Sequence, residues 1–242
     1  MVRFDSPAVL THAQFRLFDA VCANRHEELA RLLREDASLI NVGHPERGHT
    51  LATLAAELDR AESLAVLAEF GADFIQVDAM GRDPIAAAAA ADSVEALNFL
   101  FTRPEINPDA IAPGAANTPL EIAARRGQVR AVRALLGRAA RDANQKINGR
   151  AIFLACMNNQ PASVRELVLH SDLTYTNNQR WDALDACVRL KRADCADALA
   201  ARMGRARTRQ AITAFGPGRM PLTARFFELS AMSESALQAR GA

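Results

Sequence analysis

Between Asn117 and Ala140 the chain reads NTPLEIAARRGQVRAVRALLGRAA, two short apolar-periodic runs parted by one glycine. In the second run Val129, Val132, Leu135 and Leu136 recur at helical spacing on one face, with Arg130, Arg133 and Arg138 elsewhere. The first run carries its own start signal. Thr118 followed by Glu121 is the sequence form of a capping box, in which the hydroxyl accepts from the N–H three residues on and the carboxylate reaches back. Pro119 falls at the first helical position, where a missing N–H costs nothing. The pattern predicts a helix over Pro119–Arg126, a left-handed exit at Gly127 and a second helix after it. Helices of two or three turns are marginal alone, so a neighbour must cover them.

The same pattern recurs along the chain. The exit at Gly127 has counterparts at Asn24, Asp59, Asp92 and Asn159, residue types that tolerate left-handed backbone, at spacings of 35, 33, 35 and 32. The apolar pair Leu135–Leu136 recurs as Leu32–Leu33, Leu67–Ala68, Leu100–Phe101, Leu167–Val168 and Ala198–Leu199. The small pair Ala123–Ala124 recurs as Ala55–Ala56, Ala88–Ala89 and Ala155–Cys156, and more loosely as Ala20–Val21 and Ala186–Cys187. Three independent markers share one period near 33 residues, so the chain is a tandem repeat.

A 33-residue period of short helix–turn–helix units joined by loops resembles the ankyrin repeat. That family's pattern runs Gly-x-Thr-Pro-Leu, two small residues, a glycine, an apolar stretch ending Leu-Leu, and Gly-Ala. NTPLEIAARRGQVRAVRALL is the best match; Gly48–Asp73 keeps the Thr, the Ala-Ala and Gly71–Ala72, and Gly81–Phe101 replaces Thr by Asp83 but keeps Pro84. Gly149–Leu169 has lost the Thr-Pro, and Glu121 stands where the family has histidine. The terminal units, Phe15–Leu33 and Trp181–Leu199, are degenerate, as terminal repeats often are because one face meets solvent. The resemblance implies an all-α ankyrin-repeat solenoid of about six helix pairs. Its expected layout is an extension over 1–14, the array over 15–201 and a basic C-terminal helical cap over 202–242, with GRMPL at Gly218–Leu222 as the start of a further unit.

Composition agrees with an all-helical chain. Ala, Leu and Arg dominate, and β-branched runs of strand length are nearly absent. The formal charge of +1 hides a contrast: residues 1–124 carry a net −10 and residues 125–242 a net +11. Only two of the 29 basic residues are Lys, which with the abundant Ala suggests a bacterial coding bias as much as selection for phosphate contact. Cys22, Cys156, Cys187 and Cys195 lie inside helix-like apolar patterns with no C-x-x-C, the usage of small buried hydrophobes in a reducing compartment. Asp5 and Pro7 interrupt any signal-peptide stretch, and no run approaches the ~18 apolar residues of a membrane span. A cytoplasmic monomer is expected, with secretion by a specialised system as the alternative.

Catalytic and cofactor motifs are missing. There is no phosphate-binding loop, dinucleotide fingerprint, nucleophile elbow or H-E-x-x-H, and AFGPGRMP at Ala214–Pro221 reads as a tight turn. His44 and His49 lack a third ligand, so neither a metal nor a cofactor is expected. Basic and aromatic residues are not interleaved, which argues against nucleic acid. The resemblance implies instead a non-catalytic module that binds a partner protein, with an acidic partner as one option, through a concave face of loop tips and exposed first-helix positions. Carried onto this sequence, the tips fall near Arg47–Gly48–His49, Met80–Gly81–Arg82, Ala115–Ala116–Asn117, Ile147–Asn148–Gly149 and Asn178–Gln179–Arg180, and the exposed helix positions include Glu57, Arg125, Arg126, Met157, Asn158 and Arg189. Trp181, the lone tryptophan, is either a contact residue or packing under a degenerate end. The candidate partner-binding set is therefore Arg47, His49, Arg82, Asn117, Arg125, Arg126, Asn158, Arg180, Trp181 and Arg189. Two narrower functions share this surface: a translocated bacterial effector acting on a host protein, and an inhibitor or immunity partner of a toxin or enzyme.

Overall fold

The computed structural model describes residues 10–46, 48–139, 145–200, 202 and 213–214, and their regular structure is helical apart from one isolated bridge between Gly43 and Thr50. Among these residues twelve α-helices follow in six successive pairs: α1 (His12–Cys22) with α2 (His26–Glu35), α3 (Leu51–Glu57) with α4 (Ala61–Glu69), α5 (Pro84–Ala91) with α6 (Val94–Leu100), α7 (Pro119–Arg126) with α8 (Val129–Ala139), α9 (Gln145–Met157) with α10 (Pro161–Leu167), and α11 (Ala183–Leu190) with α12 (Ala193–Ala200). Two compact units divide the chain, Met1–Ala123 with Arg130–Ala143, and Ala124–Val129 with Asn144–Ala242. In the first unit α3 packs on α1 and α5, and α4 on α2 and α6; in the second α9 packs on α11 and α10 on α12. Within each unit these helices therefore find their cover in their own pair and in the adjacent ones. The expected cap over 202–242 lies outside the described residues apart from Arg202, Thr213 and Ala214, as does Arg47.

Five of the first helices start on a side-chain cap. Thr11 with Gln14, Thr50 with Thr53, Thr118 with Glu121 and Asp182 with Asp185 close reciprocal boxes, and Asp83 Oδ1 accepts from Ala86 N–H at 2.9 Å. α9, whose sequence lacks the Thr-Pro, begins at Gln145, ahead of the Gly149 that opens its repeat pattern. Ile147–Asn148–Gly149, expected at a loop tip, is therefore helical. Gly149 is needed there because a Cβ would stand 2.7 Å from Asp172 O and 2.9 Å from Tyr175 Cβ. Asn148 Nδ2 donates to His170 O at 2.8 Å and Ser171 Oγ to Asn148 O at 3.1 Å, which ties the extended turn to that loop.

The second helices begin differently. Arg25, Arg60, Ser93 and Gln160 precede α2, α4, α6 and α10 without any side-chain cap of their own. In the first unit the left-handed exits supply it from the previous repeat: Asp59 Oδ1 accepts from Ala96 N–H at 2.9 Å, and Asp92 Oδ1 from Ala131 N–H at 2.7 Å. The exit residues thus turn the chain and also bond adjacent repeats. All five expected exits have positive φ, and Lys191 (φ 57) adds a sixth, 32 residues after Asn159. Ala86 to Ala90 of α5 are all buried, and such small side chains let neighbouring first helices approach closely. The second helices supply the larger apolar groups, among them Leu33, Leu64, Leu67, Leu97, Leu100 and Leu135.

Candidate functional site

In the first unit the loop before α5 is built on Asp78, whose side chain is 0% exposed. Its Oδ1 accepts from Met80 N–H at 2.8 Å and Arg82 N–H at 2.9 Å, and its Oδ2 from Arg82 Nε at 2.9 Å. Arg82 Nη2 also donates to Glu57 Oε2 at 2.8 Å and lies 3.3 Å from His49 Nδ1, which sits 3.6 Å from Glu57 and 3.7 Å from Asp78. Arg82 is only 8% exposed, so it is not the open cation its loop-tip position suggested. Two carboxylates hold it, and it locks the loop to α3. What the loops of this unit expose instead is apolar: Ile75, Met80 and Ile111 are about half exposed or more (58%, 59% and 49%). His44 packs edge-on against Phe18 with ring centroids 5.0 Å apart, while its backbone N–H donates to His49 O at 2.7 Å, so the two histidines line one small cavity with Phe15, Phe18 and Leu54.

The second unit brings more of the candidates together. In the loop between α10 and α11, Asn177 Oδ1 accepts from the N–H of Gln179 and of Trp181, both at 2.9 Å. Asn177 N–H donates to Trp181 O at 3.0 Å, and Arg180 takes a left-handed φ of 62 at the exposed tip. Trp181 is half-buried, and the Arg189 guanidinium of α11 stacks over its ring, 4.4 Å from the centroid. Beside this loop lies a groove of about 470 Å³ lined by Arg150, Phe153, Leu154, Tyr175, Asn177, Asn178 and Gln179. Phe153 and Tyr175 meet in it with centroids 5.7 Å apart. Neither belongs to the expected set; the signal available in the sequence is an aromatic in the loop four residues before the tip's Gln179.

The remaining candidates are scattered. Asn117 is half-buried just before the Thr118 cap, Arg125 is half-buried and Arg126 exposed at the end of α7. Asn158 is exposed, with Nδ2 donating to Leu154 O at 2.9 Å. Arg125, Met157 and Arg189 share one register, each two residues before a left-handed exit. Cys156, Cys187 and Cys195 are free and buried, and their thiols hydrogen-bond one another; those bonds and burial push the Cys156 thiol well up. Cys22 differs from the expectation, since it ends α1 and is exposed. Among the described residues no group of three or more His, Cys, Asp or Glu is placed to hold a metal ion, and no helix is long and apolar enough to cross a membrane.

Comparison with known proteins agrees with the repeat. The model of the ankyrin-repeat family, in three copies, matches residues 120–209. No curated protein matches the chain by sequence. Among solved structures, a chain in the complex of the Bd0816 predatory endopeptidase from Bdellovibrio bacteriovorus with immunity protein Bd3460 is similar, with a TM-score of 0.62 at 20% identity over 78% of this chain and 98% of that one. Residues 120–209 thus match ankyrin repeats, and the chain shares an all-helical fold with that structure.

Proposed function

We propose that this ankyrin-repeat chain is a non-catalytic protein-binding module whose contact surface lies in the second unit, on α9 and the loop between α10 and α11. The observation that carries the proposal is convergence: Arg180, Trp181 and Arg189, which neither the helix caps nor the core require, gather beside one groove. Tryptophan and arginine are the residue types that most often dominate binding energy at protein interfaces. Affinity capture from the source cells with the full chain as bait tests it. Trp181→Ala is expected to lose the captured partner while its helical circular dichroism stays that of the wild type. Equal capture by the variant would refute the surface.

A second reading narrows the partner. The similar solved structure pairs an endopeptidase with an immunity protein, which favours a function as the inhibiting partner of a peptidase. In that case the captured protein hydrolyses peptide bonds when alone, and a stoichiometric amount of this chain abolishes the activity. Capture of a partner with no such activity, or one whose activity the chain leaves intact, would exclude this version.

A further inference from the structure

Resting on the protein-binding reading above, we propose that the groove between α9 and the α10–α11 loop receives an extended peptide segment of the partner, in which a carboxylate side chain lies next to an apolar one. The groove has three kinds of chemistry. Phe153, Leu154 and Tyr175 give it an apolar patch within a largely polar lining, and its volume of about 470 Å³ suits side chains better than a folded surface. Asn178 and Gln179, both exposed, offer amides that donate and accept, the match for the N–H and C=O groups of an extended backbone. The third kind is charge.

The lining holds one base, Arg150, and no acid, and Arg180 and Arg189 stand at the adjoining loop and helix. Among the described residues neither Arg180 nor Arg189 forms an ion pair. The acids next along the chain, Asp182 and Asp185, are engaged in the capping box that starts α11. The Arg189 guanidinium carbon lies over the Trp181 ring, 4.4 Å from its centroid, a contact that restrains the group and leaves its N–H donors available to a carboxylate. Single-stranded nucleic acid fits less well. It needs an open aromatic face for each base, and here one face of the indole is taken by the protein's own arginine.

Trp181 is the chain's one tryptophan, so its fluorescence reports on this site alone. A random dodecapeptide library displayed on phage is selected on the full chain, and the enriched peptides are synthesised. The enriched sequences are expected to carry Asp or Glu within two positions of Leu, Ile, Phe, Tyr or Trp, and to shift the Trp181 emission. Arg180→Glu and Arg189→Glu should each raise the Kd at least about tenfold, as should replacing the peptide's acid by its amide. Arg34→Glu, on α2 in the first unit, should leave it unchanged, and Arg189→Lys should fall between. Circular dichroism of each variant checks that the helices are intact. Enriched peptides without an acid, insensitivity to both reversals, failure to enrich any peptide, or a Trp181 response to a single-stranded oligonucleotide alone would overturn the proposal. Capture of a partner protein by the full chain would still uphold the broader reading in those cases, so the two failures are distinguishable.

Discussion

Gly127 occupies a left-handed exit at which four other repeats carry Asn or Asp, so Gly127→Asn looks like a harmless return to the repeat's own preference. The structure says otherwise. A Cβ at this position would stand 2.2 Å from Gln160 Oε1 and 2.7 Å from its Cδ, so the Gln160 side chain must leave its place. Displacing a flexible side chain into a poorer rotamer costs about 0.5–1.5 kcal/mol. Left-handed backbone adds about 1–2 kcal/mol for an ordinary L-residue, and less for Asn, which bonds locally in that conformation. Gly127→Ala is therefore expected to destabilise by about 2–3 kcal/mol and Gly127→Asn by about 1–2 kcal/mol. Removing the obstacle should rescue the second. In a Gln160→Ala background the introduced asparagine finds room, and its amide can accept from Ser163 N–H in the manner of Asp92 and Ala131. Urea unfolding followed at 222 nm for the four members of the cycle should give a coupling of about 1 kcal/mol. Equal costs of Gly127→Asn in both backgrounds would show that backbone strain, and not the Gln160 contact, decides the choice of glycine.

Three further outcomes follow from the caps and the core. Asp92→Ala removes the acceptor of Ala131 N–H and puts an alanine on left-handed backbone (φ 62), and should cost about 2–3 kcal/mol with faster amide exchange at Ala131, whereas Asp92→Asn should stay within a few tenths; equal exchange in all three forms would refute the inter-repeat bond. Burial, opposed by the Ala86 N–H bond, raises the Asp83 carboxyl above its ordinary 3.8, so the folded state keeps this proton to higher pH than the unfolded chain. Its contribution to folding is then full below 3.8 and lost as pH rises through the folded value, so Asp83→Asn should gain on the wild type as the pH rises from 3.8 through that higher value, and a constant offset in urea midpoints would contradict that. Leu97→Ala, at a fully buried site of α6, should destabilise by about 2–5 kcal/mol in the same assay, and a loss below about 1 kcal/mol would mean the site collapses around the gap.

The parts of the fold that could be read in advance are those where backbone geometry demands particular residue types. A helix start wants Thr, Ser, Asp or Asn, and a left-handed turn wants Gly, Asn or Asp, so Thr50, Asp83, Thr118, Asn24, Asp59, Asp92, Gly127 and Asn159 announced themselves at a fixed period. Where the chain meets the same demand with an untypical residue, the signal vanishes. Lys191 and Arg180 both adopt left-handed φ, and neither type advertises it. The early start of α9 was hidden because the Thr-Pro signal is lost from this repeat's sequence, and the contacts that tie the helix's first turns, such as Asn148 to His170 O, lie 22 residues apart. The site was less legible. Arg82 looked like an open loop cation until the fold brought Glu57, 25 residues earlier, to within hydrogen-bonding distance. The stack of Arg189 on Trp181 spans a turn and most of a helix, a separation that no local pattern encodes.

The same reasoning changes what the charge contrast means. A net −10 over residues 1–124 suggests an acidic surface awaiting a basic partner. In the structure much of that acidity is at work inside the scaffold: Asp59 and Asp92 cap helices in the next repeat, Asp83 caps its own, Asp78 and Glu57 hold Arg82, and Glu28 faces Arg16, Arg25 and Arg31. Each of these acids is satisfied by a donor that folding supplies, and none needs a partner to complete it. Arg180 and Arg189 pair with no carboxylate of the described residues, and the Arg189 guanidinium carbon lies over an indole ring. Cations without a carboxylate partner among the described residues, next to a groove that mixes aromatic and amide side chains, are what a binding surface requires and a repeat scaffold does not. Arg34 and Arg130 of the first unit also form no ion pair among the described residues, so what favours the second unit is the groove that Asn177, Asn178 and Gln179 line on the same loop as Arg180 and Trp181.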